Sequence, residues 1–243
     1  MDTPIVKRST TSDNEKTSDF PYRSAVGALL YVARGTRFDI SYAVGVLSRS
    51  LENPTPKDIS CLKRVIRYLN GSINFKLVYK FDPTVKQLEC YSDADFAGCP
   101  TTSRSTTGVL IKYADAAISW ISKRQQLVAD SSCEAELIAA NEASKETIWI
   151  SRLFRELINL HDVPVLLVDN ENAIRIAENI EFHCRTKHIQ RKYLFIRDRI
   201  RANMIDVEHI RTEQQLTDIL TKPLPCPRLS ILREQSGLTS SIV

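Results

Sequence analysis

No stretch of the 243-residue chain is apolar for long enough to cross a membrane: the longest mostly apolar run, residues 24–33, is about half of the roughly 20 residues that a spanning helix needs. The N-terminus MDTPIVKRST lacks the apolar core of a signal peptide, so secretion through an N-terminal signal is not expected. Six cysteines, Cys61, Cys90, Cys99, Cys133, Cys184 and Cys226, never occur as C-x-x-C, and the four histidines do not pair with them at finger spacing. Neither a zinc module nor a disulfide framework is indicated, which fits thiols in a reducing compartment. Excess charge is also small, with 33 Lys and Arg against 29 Asp and Glu for a net +4. What is present is 43% hydrophobic and 26% charged residues, which excludes wholesale disorder and leaves room for one large or two small domains.

The small net charge conceals an uneven distribution. Residues 1–86 hold fourteen Lys and Arg against eight Asp and Glu, whereas residues 87–243 hold nineteen against twenty-one. Within the second part, Arg185, Lys187, Arg191, Lys192, Arg197, Arg199 and Arg201 face only Asp198. Two basic segments therefore flank an acidic body. That layout suits a polyanion lying across a site built of carboxylates, although charge alone favours a solvated helix face.

Residues 1–20 hold almost nothing apolar and are expected to form a flexible arm. Apolar residues then recur three and four apart (Val26, Leu29, Leu30; Ile40, Ala43, Val44, Leu47; Ile59, Leu62, Val65, Ile66, Leu69), which predicts three short helices over 21–71. Three such helices bury only a modest core and are not expected to stand alone. From residue 73 the period changes to that of strands, at 75–81, 88–93, 106–113 and 117–122. Ser131 or Ser132 caps a long helix running to about Asn159, with Glu134 and Glu136 near its start. A short apolar strand at 163–168 ends in Asp169-Asn170, and helices at 173–178 and 189–203, a strand at 206–211 and a helix between about 214 and 223 follow. A meander followed by alternating strands and helices implies an α/β fold with a mixed sheet and helices packed on it.

Three elements set an acid where strand or helix meets solvent: Asp93, Glu136 and Asp169. Sites form beyond the carboxyl ends of parallel strands, so Asp93 and Asp169 become neighbours if their strands pair in parallel. Crowded carboxylates repel unless a cation lies between them, and oxygen donors without His or Cys indicate Mg²⁺ or Mn²⁺. Glu136 shares its helix face with the small residues Ala140, Ala143, Thr147 and Ser151 and is expected to point inward. Glu134 shares its face with Asn141, Glu142, Lys145 and Arg152 and is expected to point outward. Asp218, between Leu216 and the pair Ile219-Leu220, is expected at the first turn of an anchored helix. Asp95 is read as a turn acid, His188 and His209 as structural before catalytic, and Trp120 and Trp149 as core.

The segments Tyr91-Ser92-Asp93-Ala94-Asp95-Phe96-Ala97-Gly98, Arg104-Ser105-Thr106-Thr107-Gly108, Ile118-Ser119-Trp120, Glu134-Ala135-Glu136-Leu137, Val168-Asp169-Asn170, Arg185-Thr186-Lys187-His188-Ile189 and Leu216-Thr217-Asp218-Ile219-Leu220-Thr221-Lys222 closely resemble the ribonuclease H domain of Ty1/copia-type retrotransposon Pol polyproteins. The match covers about residues 85–226. Upstream, Tyr22-Arg23-Ser24-Ala25-Val26-Gly27, Arg37-Phe38-Asp39-Ile40 and Arg67-Tyr68-Leu69-Asn70-Gly71 look like the reverse transcriptase thumb and connection of the same polyproteins. The resemblance implies a ribonuclease H-like five-stranded sheet over 85–226, preceded by a thumb/connection-like helical segment over 21–84 and followed by a tail over 227–243. It further implies a two-metal ribonuclease that cuts the RNA strand of an RNA–DNA hybrid during reverse transcription. Asp93, Glu136 and Asp169 would be the core ligands of two Mg²⁺ or Mn²⁺ ions, with Asp218 the fourth acid. Arg185, Lys187, Arg191 and Lys192 are candidates for gripping the nucleic-acid backbone.

The implied partners are the hybrid and the remainder of the Pol polyprotein, with no membrane, in the cytoplasm or a virus-like particle. No Tyr-x-Asp-Asp motif of a polymerase palm occurs, so polymerase activity is not expected. The chain departs from the family pattern at Phe38, Asp58, Gln190 and Leu194. Those departures keep open a second reading, a noncatalytic remnant that binds nucleic acid or scaffolds a polymerase. A DDE-type integrase ranks lower, because the helix bearing Glu136 precedes the fourth strand of the expected domain.

Overall fold

Apolar spacing of three and four winds the N-terminal part into α1 (Tyr22–Gly35), α2 (Ser41–Leu47) and α3 (Pro56–Gly71). The computed structural model of the chain describes residues 3–5, 20–80, 87–178 and 190–240, the side chains of 178 and 190–194 excepted. Helix α3 starts where Thr55 and Asp58 satisfy each other's backbone amides, with Pro56 in the first turn. Asp58, one of the departures from the family pattern, therefore serves as a cap.

The meander follows as β1 (Lys76–Leu77), β2 (Glu89–Asp95), β3 (Thr106–Tyr113) and β4 (Ala116–Arg124). After the long helix α4 (Ser132–Ile158) come β5 (Val165–Val168), α5 (Glu171–Glu178), α6 (Gln190–Arg201) and β6 (Asp206–His209). Helix α7 (Asp218–Thr221), helix α8 (Cys226–Gln235) and β7 (Leu238–Thr239) complete the described chain. The main sheet has five strands in the order β4-β3-β2-β5-β6, antiparallel among β2, β3 and β4 and parallel from β2 through β5 to β6. This is the mixed α/β sheet that the pattern predicts.

Alternation along the strands divides the core in two. Cys90, Val109 and Ile111 face α4, α5 and α6, where Leu137, Ala140, Ala143, Ala173 and Ile196 are buried. Tyr91 and Leu110 face the other way, into a cluster with Val26, Leu47, Leu62, Leu220 and Leu232. The N-terminal helices thus cover one face of the sheet instead of forming a core of their own. No helix among the described residues is long and apolar enough to cross a membrane.

Several expectations are corrected. Of the expected 75–81 strand, the described residues 75–80 form strand only at Lys76–Leu77, whose partner is β7 in a separate two-stranded sheet. Residues 227–243 are not simply a tail: Leu229 and Leu232, three apart, bury α8 against the helical cluster. Pro4 and Ile5, within the expected flexible arm, are buried as well, and Arg64 Nε donates to the Thr3 carbonyl at 2.7 Å. Trp149 is 60% exposed, because Ile148 and Ile150, its apolar neighbours in sequence, point to other sides of the helix. Trp120 packs on Phe38 with ring centroids 5.7 Å apart and donates from Nε1 to the Ala33 carbonyl at 2.8 Å. Phe38, a second departure from the family pattern, is fully buried there.

A buried ionic network ties the N-terminal helices to α8. Arg37 donates twice to Asp39, from Nε at 2.9 Å and from a terminal nitrogen at 2.8 Å, and Tyr68 donates to the same carboxylate at 2.6 Å. Arg233 of α8 reaches the Tyr68 hydroxyl at 3.3 Å. Removing the carboxylate leaves a guanidinium buried without its counter-charge, which is strongly destabilising. Asp39→Ala is therefore expected to lower the unfolding free energy by about 3–5 kcal/mol in urea denaturation. A loss below about 1 kcal/mol, the scale of exposed pairs, would contradict the network's role.

Candidate active site

The parallel pairing of β2 and β5 places Ser92 opposite Val168. The next residues are therefore neighbours: Asp93, still inside β2, and Asp169, just past the end of β5. Helix α4 brings the third acid. Ser131 Oγ accepts from the Glu134 amide at 3.1 Å, which fixes the start of the helix, and Ala140 and Ala143 seat it on the sheet. Glu136 is then 7% exposed, and one carboxylate oxygen from each of Asp93, Glu136 and Asp169 lies within 4.8 Å of the others. Glu134 stays out of this group, but not by facing solvent as expected. It is buried because its carboxylate folds back to accept from the Asp130 amide at 2.7 Å.

Helix α7 sets Asp218 beside the triad. Its close approach to β3 depends on Gly108, where a Cβ would stand 2.6 Å from Thr221 Cγ2 and 3.1 Å from the Thr217 carbonyl. Gln215 donates from Nε2 to the Ser92 carbonyl at 3.0 Å, and Ser122 Oγ donates to the Leu220 carbonyl at 2.6 Å. Thr221 Oγ1 in turn donates to Asp93 Oδ2. Asp218 is not among the three acids that converge within 4.8 Å. It is joined to them by Lys222, whose Nζ lies 2.7 Å from Asp218 Oδ1 and 3.4 Å from Asp93 Oδ2. Arg228 holds its other oxygen at 3.2 Å. Lys222, Thr221, Gln215 and Arg228 were not expected at the site. Only Lys222 left a trace in the sequence, standing four residues after Asp218 on a predicted helix.

Burial, then the charges of Asp93 and Asp169, push the Glu136 carboxyl up to about 10. Burial likewise raises Asp169, aided by Asp93 and opposed by Lys222, and it raises Asp218 against the pull of Lys222 and Arg228. Glu136 Oε2 is buried without a hydrogen-bond partner. An unsatisfied carboxylate oxygen among crowded acids, with oxygen as the only donor type, fits a hard divalent cation such as Mg²⁺ or Mn²⁺.

Asp95, read from the sequence as a turn acid, is instead the last residue of β2: it pairs with Thr106 and accepts from the Thr106 amide. His209 is exposed at the end of β6. Arg185, Lys187 and His188 lie outside the described residues, as do the side chains of Arg191, Lys192, Gln190 and Leu194. Within the described part of the basic run, Arg197 is buried and reaches the Ile176 carbonyl at 3.4 Å, so this charge does not belong to a solvated face.

The strand order, the parallel β2–β5 pairing and the acids on those strands define an α/β domain with a mixed five-stranded sheet and a carboxylate cluster. No family model matches the chain. It is 40% identical over 234 residues, 96% of its length, to the retrovirus-related Pol polyprotein from transposon TNT 1-94 of Nicotiana tabacum, and 40% identical over 237 residues, 97% of its length, to that from transposon RE1 of Arabidopsis thaliana. A yeast relative, the Ty1-NL2 Gag-Pol polyprotein of Saccharomyces cerevisiae, is 25% identical over 224 residues, covering 90% of the chain and 13% of the relative. The chain is homologous to a segment of the Pol polyproteins of copia-type retrotransposons, and it spans 17% and 16% of the first two relatives' lengths. Among solved structures, LC11-RNase H1 isolated from compost is similar over 56% of this chain and 93% of its own, with 15% identity and a TM-score of 0.42.

The raised Glu136 carboxyl makes metal-free stability depend on pH. The folded protein keeps a proton that the unfolded chain releases near 4.5, so stability falls as pH rises from about 4.5 towards about 10. In EDTA, urea midpoints are expected to decline from pH 5 to pH 8.5. Glu136→Gln, which cannot ionise, is expected to flatten that decline and to be the more stable protein at pH 8.5. Equal slopes for the two proteins would exclude Glu136 as the source.

Proposed function

We propose that the chain is a divalent-metal-dependent endoribonuclease that cuts the RNA strand of RNA–DNA hybrids, acting inside the cell within the larger Pol polyprotein that carries out reverse transcription. The observation that carries this reading is the convergence of Asp93, Glu136 and Asp169 around a buried, unpartnered carboxylate oxygen. These three, with Asp218 beside Asp93, would hold two Mg²⁺ or Mn²⁺ ions. When bound, such a pair supplies positive charge that makes an attacking water acidic and offsets charge on the leaving oxygen.

The protein's own part is preorganisation. Thr221 fixes one oxygen of Asp93, and Lys222 and Arg228 fix Asp218, so the acids are aimed before a substrate arrives. A hybrid is distinguishable by the 2′-hydroxyls displayed in the shallow minor groove of an A-like duplex. Arg185, Lys187, Arg191 and Lys192 would grip phosphates in a sequence-independent, salt-sensitive manner. The departures at Phe38 and Asp58 do not favour a decayed remnant, since the first fills the core and the second caps α3.

Incubation with an end-labelled RNA–DNA hybrid and Mg²⁺ tests the proposal. Cleavage of the RNA strand is expected, and Asp169→Asn is expected to reduce it at least about 100-fold while still binding hybrid. Equal cleavage by the variant, or hybrid binding by the wild type without cutting in either Mg²⁺ or Mn²⁺, would overturn it.

A further inference from the structure

Asp93 has acidic neighbours on two sides, and the protein treats them differently. Towards Glu136 and Asp169, three carboxylate oxygens lie within 4.8 Å of one another, and none of the ion pairs among the described residues involves Glu136 or Asp169. Towards Asp218, the Lys222 ammonium stands between the two carboxylates, 2.7 Å from Asp218 Oδ1 and 3.4 Å from Asp93 Oδ2. The backbone holds it there. Asp218 and Lys222 are separated by one helical turn, the Lys222 amide donates to the Asp218 carbonyl at 3.1 Å, and Pro223 ends the helix immediately afterwards. Arg228 secures the other Asp218 oxygen while donating to the carbonyls of Thr212 and Glu213, so Asp218 is not free to swing away from Lys222. At 38% exposure, however, the Lys222 side chain has a route out to solvent.

We propose that Lys222 is a built-in counter-cation occupying the position between Asp93 and Asp218. The Asp93, Glu136 and Asp169 group then takes one divalent ion while the ammonium stays in place on the far side of Asp93, and a second ion binds Asp93 and Asp218 only by displacing it. The inference rests on the metal-dependent reading above. An ammonium and a divalent ion seek the same pair of carboxylates, and two cations cannot share that space. The first position differs because two of its three acids, Glu136 and Asp169, form no ion pair among the described residues, and Glu136 Oε2 is buried and unpartnered. Lys222 thus sets the concentration at which the second ion loads, while keeping Asp93 and Asp218 together in its absence.

The test is metal binding by the whole chain without nucleic acid, counting free Mn²⁺ by electron paramagnetic resonance and Mg²⁺ by calorimetry. The wild type is expected to bind one ion, lost in Asp169→Asn, and a second more weakly. Lys222→Met is expected to tighten the second ion at least about tenfold and to leave the first within about twofold. Its urea midpoint in EDTA is expected to fall, and Mn²⁺ is expected to restore it. Lys222→Arg retains the positive charge, so its second-ion affinity should stay within about twofold of the wild type. That variant also tests the proposal should Lys222→Met fail to fold, because a tenfold gain in it would overturn the idea. An unchanged or weaker second ion in folded Lys222→Met overturns this inference alone. Absence of any ion sensitive to Asp169→Asn overturns the proposed function and this inference together.

Discussion

The parallel pairing of β2 with β5 is the contact on which the rest of the site depends. It joins a strand of the N-terminal meander to one that arrives after a 27-residue helix, and its register sets Asp93 and Asp169 at the same sheet end. A slip of one residue would turn one carboxylate to the opposite face, because side chains alternate along a strand. The apolar core enforces the register: Cys90 and Leu166, paired across it, are both fully buried on the side that α4 covers. Packing energy from the core therefore holds together charges that would separate if left to themselves.

The opposite face of the sheet has the complementary task. Gly108 allows α7 to lie against β3, and hydrogen bonds from Gln215 and Ser122 pin the segment to neighbouring strands. The N-terminal helices, α7 and α8 share one apolar cluster with this face, and the Arg37, Asp39, Tyr68 and Arg233 network joins the α1–α2 connection and α3 to α8. The position of Asp218 thus depends on packing that reaches back to residues about 150 or more earlier in the chain, a dependence that has no local sequence signal.

Where a local rule acts alone, the sequence is a good guide. The 106–113 strand is recovered residue for residue, because its run of β-branched and apolar residues is bounded by turns. Helix α4 begins at its Ser131 cap and ends at Asn159, whose backbone is left-handed. Local rules fail where a distant partner decides. Lys76–Leu77 is a strand only because Leu238–Thr239 lies beside it, and residues 226–235 are a packed helix because Leu229 and Leu232 find the cluster built by α1, α2 and α3. Trp149 and Glu134 show the same limit. Apolar sequence neighbours did not bury the first, and the Asp130 amide, not solvent, took the second.

The order of acids and the helical face of Glu136 were readable from the sequence alone, because strand and helix periods decide which way a side chain points from its own element. The sequence also carried the family resemblance, which rests on short segments that need no third dimension to compare. Only the tertiary structure decided which acids meet, that Asp218 stands outside the 4.8 Å group, and that Lys222 bridges it to Asp93. Those are distances between elements, set by strand register and by the seating of α4 and α7 on the sheet. Local periodicity contains no information about them.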